Sequence, residues 1–261
     1  TTSGAALLFP EVHVTCCEIE PAVFEASKHF AAVNHSPELF PRFSVVFDDG
    51  RSHLQGTNAK YDLILSEPSN HWIAGVSNLF TREFYEAARD RLAPGGILAQ
   101  WIQVYSFSAA DYALVARTLL DVFPECGLIR ISGGDTILLA SSTPIGGTRE
   151  TFDRAQALVT ALPPVQADLK KAYGTGDVRG LLLSRLLLDT EGVRRFIEAD
   201  GSGALNTDLN LKLEFDAPLR LFEKDATTAA VAKKLYAGAR TEWFAKAAAQ
   251  WGCSKEQAGI F

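Results

Sequence analysis

Residues 61–80, YDLILSEPSNHWIAGVSNLF, decide the fold. The run Leu63-Ile64-Leu65 is continuously apolar, which predicts a parallel strand, Tyr61 to Ser66, buried on both faces. The strand stops at an acid and a proline, Glu67-Pro68, and a loop with Asn70, His71, Trp72 and Gly75 leads to a helix start at Thr81. Open α/β sheets bind ligands beyond the carboxyl ends of their strands. Glu67 stands at such an end.

The flanking sequence repeats the pattern. Upstream, the β-prone run Val12 to Cys17 ends at Glu18-Ile19-Glu20, and Pro21 suits the first turn of a helix. Arg42 to Phe47 is a second strand, stopped by Asp48-Asp49-Gly50. Downstream, a helix to Leu92 precedes the turn Pro94-Gly95-Gly96 and a strand over 97–102. Ser108 with Asp111 predicts a capping box for a helix ending near Phe123. The runs 128–132 and 136–141 flank Gly133-Gly134-Asp135 and read as a hairpin. These signals predict an α/β fold with a doubly wound, mostly parallel sheet and an antiparallel edge hairpin. The texture changes after Pro144-Ile145-Gly146-Gly147, so domains are expected at 1–147 and 148–261. The second is mainly helical, with helices over 150–199 and 224–250 around an irregular island at 206–218.

Composition sets bounds. The chain has 261 residues, 47% of them apolar and 21% charged, as in an ordinary globular protein. A net charge of −6 argues against nucleic acid as the main partner, which would need a basic face. The cysteines at 16, 17, 126 and 253 form no C-x-x-C pair, so no metal site is expected. Cys16 and Cys17 read as small core residues in a reducing compartment, and the expected location is cytoplasmic. No apolar run approaches the roughly 20 residues that span a bilayer, and no signal peptide is evident.

Three acidic positions, Glu18, Asp48-Asp49 and Glu67, close three successive strands. Each alone reads most simply as a strand stop or helix cap. Together, at matching strand ends, they suit a nucleoside: one carboxylate accepts ribose hydroxyls and another meets an exocyclic amine.

The segments SGAALL (3–8), CCEIEP (16–21), DDGR (48–51), YDLILSEPSN (61–70), NLFTREFY (78–85) and APGGILAQW (93–101) together resemble the spermidine synthase-like family. Closest are bacterial members often fused to a transporter-like membrane segment. NTDLNLKLEFDAP at 206–218 is similar to a downstream motif of the same group. The resemblance implies the fold of class I S-adenosylmethionine-dependent methyltransferases. It implies that Gly4, Glu18, Asp48, Asp49 and Gly50 bind a sulfonium donor, S-adenosylmethionine or its decarboxylated form. Glu67 would take a proton from the attacking amine, and Asn70, Trp72 and Gln100 would contact a small-molecule acceptor. Aminopropyl transfer in polyamine biosynthesis is the leading function. Methyl transfer and a non-catalytic nucleoside-binding regulatory domain are the alternatives. A NAD-dependent dehydrogenase is disfavoured, since G-x-G-x-x-G is absent.

Two departures qualify the resemblance. Where polyamine synthases carry D-x-x-D-P, this chain has Glu67-Pro68-Ser69-Asn70-His71. A dicationic amine would lose a charge partner, about 1–3 kcal/mol if desolvated, which points away from putrescine. The second departure is at the start, where only Ser3-Gly4 remains of the family's first strand and glycine-rich loop. The expectation is a sheet with a gap, compensated by dimerisation to a homodimer or by a strand from another segment. Attachment to a membrane segment belongs to the same set of expectations. Tyr105 and Asp111 are candidates to line the acceptor pocket, with Asp111 favoured as a cap. His29 and His35 read as surface residues, His71 as an incidental loop histidine, and Asp208 and Glu214 as candidates to close over the site.

Overall fold

A computed structural model describes residues 1–220 apart from 69–72, 74, 106 and 133, together with Val231 and Leu235. In chain order the elements are α1 (Thr2–Leu7), β1 (Val14–Cys17), α2 (Pro21–Ser27), α3 (Ala31–Asn34), β2 (Phe43–Val46), α4 (Gly50–Gly56) and β3 (Tyr61–Ser66). Then follow a 3₁₀ turn (Val76–Phe80), α5 (Arg82–Arg91), β4 (Leu92–Gln103), α6 (Ala109–Val122), β5 (Glu125–Arg130) and β6 (Asp135–Ser141). The remainder is α7 (Arg149–Ala161), α8 (Pro163–Tyr173), α9 (Val178–Arg185), β7 (Leu186–Leu188), α10 (Thr190–Glu198) and α11 (Lys212–Arg220). The helix expected over 224–250 lies outside the described residues, apart from Val231 and Leu235, which are helical.

The chain forms two compact units, Thr1–Thr57 with Glu150–Leu181, and Asn58–Arg149 with Leu182–Phe261. The first holds the parallel pair β1–β2, in the register Val14↔Phe43 to Cys17↔Val46. Phe24 of α2 stacks on Phe43 at 6.3 Å and meets Phe47 edge-on at 5.9 Å. Arg42 ties the α1–β1 connection to β2, donating to the carbonyls of Leu7 (3.1 Å), Phe9 (2.9 Å) and Val12. His35, expected at the surface, is partly buried, and its Nε2 lies 2.7 Å from the Asp168 carboxylate of α8.

The second unit holds a five-stranded sheet in the order β3-β4-β6-β5-β7. β3 and β4 pair in parallel, whereas β6 runs antiparallel to both β4 and β5, and β7 antiparallel to β5. Three strands, β3, β4 and β5, therefore point the same way. The β5–β6 hairpin lies inside the sheet rather than at its edge, because β6 inserts between β4 and β5 and β7 adds outside. Buried Leu98, Ile102, Leu128 and Leu138 from the strands meet Tyr85, Tyr112 and Phe123 to form the core. Helix α6 starts at the predicted capping box: Ser108 Oγ accepts the Asp111 amide at 3.0 Å, and the Asp111 carboxylate accepts the Ser108 amide at 3.1 Å.

One expectation changes. β3 is not buried on both faces: Leu63 is 51% and Leu65 44% exposed. β3 is the end strand, and among the described residues no strand pairs with its outer side. An apolar run marks a strand that can be covered; coverage itself depends on a neighbour. β1–β2 and β3–β4 are separate parallel pairs in different sheets, in line with the expected gap.

Candidate functional site

Each unit carries its own set of the predicted residues. In the first, parallel pairing places Glu18 and Asp48 just beyond the same end of β1 and β2, and the Glu18 amide donates to Val46 O at 3.0 Å. Local geometry then uses part of each carboxylate. Glu18 Oε1 accepts the Glu20 amide at 3.0 Å, and Asp48 Oδ1 accepts the Asp49 amide at 2.8 Å. Asp49 caps α4, its Oδ2 accepting both the amide (2.9 Å) and the hydroxyl (3.0 Å) of Ser52. Asp49 is thus a helix cap, and the second oxygen of each of the three acids has no hydrogen bond among the described residues. Three such acceptors at the end of two strands suit the hydroxyls and amino group of a nucleoside.

The two glycines of this set differ. A Cβ on Gly50 would meet nothing closer than Cys17 Cβ at 3.8 Å, an ordinary contact. A Cβ on Gly4 would lie 1.7 Å from Asn34 O, so packing of α1 against the end of α3 demands glycine there. Cys16 and Cys17 are half-buried free thiols rather than core residues. Burial pushes both up, Cys17 to about 11 with help from the neighbouring Cys16, Asp48 and Asp49.

In the second unit, Ser66 pairs with Gln100 in the last step of the β3–β4 register, and Glu67 follows directly, exposed. Gln100 is wholly buried and its Nε2 donates to Trp101 O at 3.1 Å. Only the amide nitrogen can donate to that carbonyl, which fixes the orientation of the group. Among the described residues Gln100 Oε1 is buried without a hydrogen-bond partner, a state that costs about 1–3 kcal/mol unless a donor reaches it. Asn70, Trp72 and His71 lie outside the described residues. Asp111 is the cap of α6, as its spacing predicts. Tyr105 is 38% exposed, and partial burial with Asp135 nearby pushes its hydroxyl up.

Sequence reasoning left the role of the 206–214 segment open, and the structure gives it one. Asn206 is fully buried; its Nδ2 donates to Phe80 O at 3.2 Å and Ser77 O at 3.5 Å, and its Oδ1 accepts the Leu213 amide at 3.0 Å. Its own amide donates to Thr118 Oγ1 at 2.9 Å, and its carbonyl accepts the Arg82 amide at 2.9 Å. Glu214 reaches the 3₁₀ turn that follows the Glu67 loop. The NTD spacing signalled a motif, but not its partners.

No helix among the described residues is long and apolar enough to cross a membrane. Residues 8–131 match the spermine/spermidine synthase domain. Over 155 residues the chain is 27% identical to polyamine aminopropyltransferase 2 of Hyperthermus butylicus, covering 57% of this chain and 51% of that protein. Over 89 residues it is 36% identical to polyamine aminopropyltransferase 2 of Pseudomonas aeruginosa, covering 33% of this chain and 25% of the relative. The chain thus spans about half the length of the first and a quarter of the second. In structure it is similar to a probable spermidine synthase from Corynebacterium glutamicum, with a TM-score of 0.53 at 21% identity over 77% of this chain and 68% of that one. That likeness shows a shared α/β fold. Residues 8–131 are thus similar to the spermine/spermidine synthase domain, a match that covers a little under half of the chain.

Proposed function

We propose that this chain transfers an aminopropyl group from decarboxylated S-adenosylmethionine to an amine. One observation carries the reading: an exposed acid, Glu67, follows directly on the register step that pairs Ser66 with Gln100, whose buried Oε1 lacks a donor among the described residues. A neutral amine has what this pair needs, a proton to give to a carboxylate and a second N–H for the amide oxygen. The domain match of residues 8–131 and the names of the relatives supply the reaction class.

In this reading the amine nitrogen attacks the carbon next to the sulfonium. The N–C bond forms as the C–S bond breaks, the bonding pair goes to sulfur, and a neutral thioether leaves. The nitrogen becomes an ammonium and passes a proton to Glu67. Charge at sulfur is lost rather than created, so holding the reactants in line matters more than stabilising new charge. Glu67 removes the proton that would otherwise stall the reverse-prone ammonium product. Glu18, Asp48 and Asp49 bind the nucleoside of the donor through the carboxylate oxygens that local turns leave over.

Titration calorimetry with S-adenosylmethionine, its decarboxylated form and methylthioadenosine, with product assays on a panel of mono- and diamines, tests this. The expected result is tighter binding of the decarboxylated donor, and turnover that Glu67→Gln lowers by about 10²–10⁴-fold while donor affinity stays within twofold. Methyl transfer from S-adenosylmethionine would replace the reading with its methyltransferase alternative. Donor binding without product from any amine would replace it with a nucleoside-binding regulatory role.

A further inference from the structure

The 3₁₀ turn Val76–Phe80 begins nine positions after Glu67 and starts without a side-chain cap of its own. The residue before it, Gly75, has φ +87° and no side chain to accept the first amides of the turn. Exposed amides at such a start need an acceptor from somewhere. The Val76 amide has the Ile73 carbonyl at 3.1 Å, and the Gly75 amide takes its acceptor from a distant part of the sequence. Glu214, in the first turn of α11, accepts the Gly75 amide at 3.2 Å and the Ser77 hydroxyl at 2.6 Å on one oxygen, Oε2. The second distance is that of a charge-assisted O–H···O⁻ bond, shorter and stronger than a neutral one. At the far end of the turn, Asn206 holds the carbonyls of Ser77 and Phe80. The segment 206–214 therefore grips this turn at both ends.

The two grips are not equivalent. Asn206 is buried in the core, and Phe80 beside it is 2% exposed, so that end is secured by packing as well. The Gly75 end is exposed; besides the local bonds from Val76 to Ile73 and from Asn78 to Gly75, the Glu214 carboxylate is the side chain that ties it to a distant segment. It is also the end nearer Glu67 along the chain. We propose that Glu214 is a positioning residue for the acceptor amine: by fastening Gly75 and Ser77 it fixes the point to which the chain returns after Glu67. The proposal rests on the aminopropyl-transfer reading. It assigns the 206–214 motif a task in acceptor recognition, beyond the nucleoside donor.

The test compares wild type, Glu214→Gln, Glu214→Ala and Ser77→Ala in the full chain. Hydrogen–deuterium exchange reads the latch itself. Amides 75–78 should exchange about tenfold faster in Glu214→Ala, as expected for losing a hydrogen bond to a charged group, with the α6 amides unchanged and Glu214→Gln intermediate. Steady-state kinetics with putrescine and n-butylamine read its consequence. KM for the amine should rise about tenfold in Glu214→Ala, KM for the donor and kcat should stay within threefold, and Glu214→Gln should recover part of the loss. Faster exchange with an unmoved amine KM would reduce Glu214 to a structural tie. Unchanged exchange would overturn the latch. A wild-type chain that neither turns over nor binds either amine would overturn the transfer reading, and the acceptor role of Glu214 with it.

Discussion

Gly4 lies against the backbone carbonyl of Asn34, so closely that a Cβ on it would meet that oxygen at 1.7 Å. The obstacle is main chain, which cannot swing aside as a flexible side chain would. Gly4→Ala should therefore destabilise the protein by about 1–3 kcal/mol through overpacking, and lower donor affinity only as far as α1 shifts. Gly203, with nothing within 4 Å of its virtual Cβ, serves as control; Gly203→Ala should be neutral or stabilising by up to about 1 kcal/mol. Urea midpoints of the two variants check this. Equal midpoints would show that α1 can move off Asn34 at little cost.

Asn206 serves four partners from three other elements, Ser77 and Phe80 in the 3₁₀ turn, Leu213 in α11 and Thr118 in α6, besides the Arg82 amide. Truncation to Ala strands the Phe80 carbonyl and the Leu213 amide in a dry environment. Leaving buried groups unsatisfied costs about 1–3 kcal/mol each, so Asn206→Ala should lose about 2–5 kcal/mol in denaturant unfolding. Asn206→Asp separates the two halves of the role. A carboxylate still accepts from Leu213 but cannot donate to Phe80, and two acceptors then face each other. The Asp variant should be no more stable than Ala at pH 7. A loss under 0.5 kcal/mol in either variant, well below the usual net worth of one hydrogen bond, would show that water replaces the side chain.

Much of this fold is legible where the signals are local. The bounds of β3 follow from an apolar run closed by Glu67-Pro68, and the starts of α5 and α6 follow from Thr81 and Ser108, whose hydroxyls accept the Phe84 and Asp111 amides as their spacing predicts. Where pairing overrides local chemistry, reading fails. Pro94-Gly95-Gly96 reads as a turn, yet β4 runs from Leu92 to Gln103 across it, with Gly95 at φ +79° absorbing the irregularity. Leu63 and Leu65 lie on one face of β3, and their exposure is set by what packs on that face, which no residue in 61–66 encodes. The site divides the same way. Glu18, Asp49 and Glu67 are visible because they end strands. The buried Gln100 Oε1 and the Glu214 latch depend on contacts with sequence-distant or buried neighbours, which only the folded chain displays.

Cys126 and Thr190 meet where β5 passes the start of α10: Thr190 Oγ1 accepts the Cys126 amide at 3.1 Å and donates to Glu125 at 2.7 Å. The thiol itself is sealed in, and burial pushes it up to about 12; Cys17 is pushed up to about 11, and the buried Tyr85 hydroxyl is raised as well. Each group releases its proton more readily once unfolded, so above pH ~8.5 the folded state binds more protons than the unfolded one. Stability should be full below that pH and fall as pH rises toward the folded values. Urea midpoints taken from pH 8 to pH 11 should decline, and Cys126→Ala should make the decline shallower while lowering the midpoint at pH 8 through lost packing. Thiol labelling at pH 8 gives an independent reading. Cys16 and Cys17, half-buried, should react in the native protein, while Cys126 should label only at the rate of unfolding. Native Cys126 labelling as fast as Cys16 would mean that β5 opens locally, and the pH dependence assigned to this thiol would not hold.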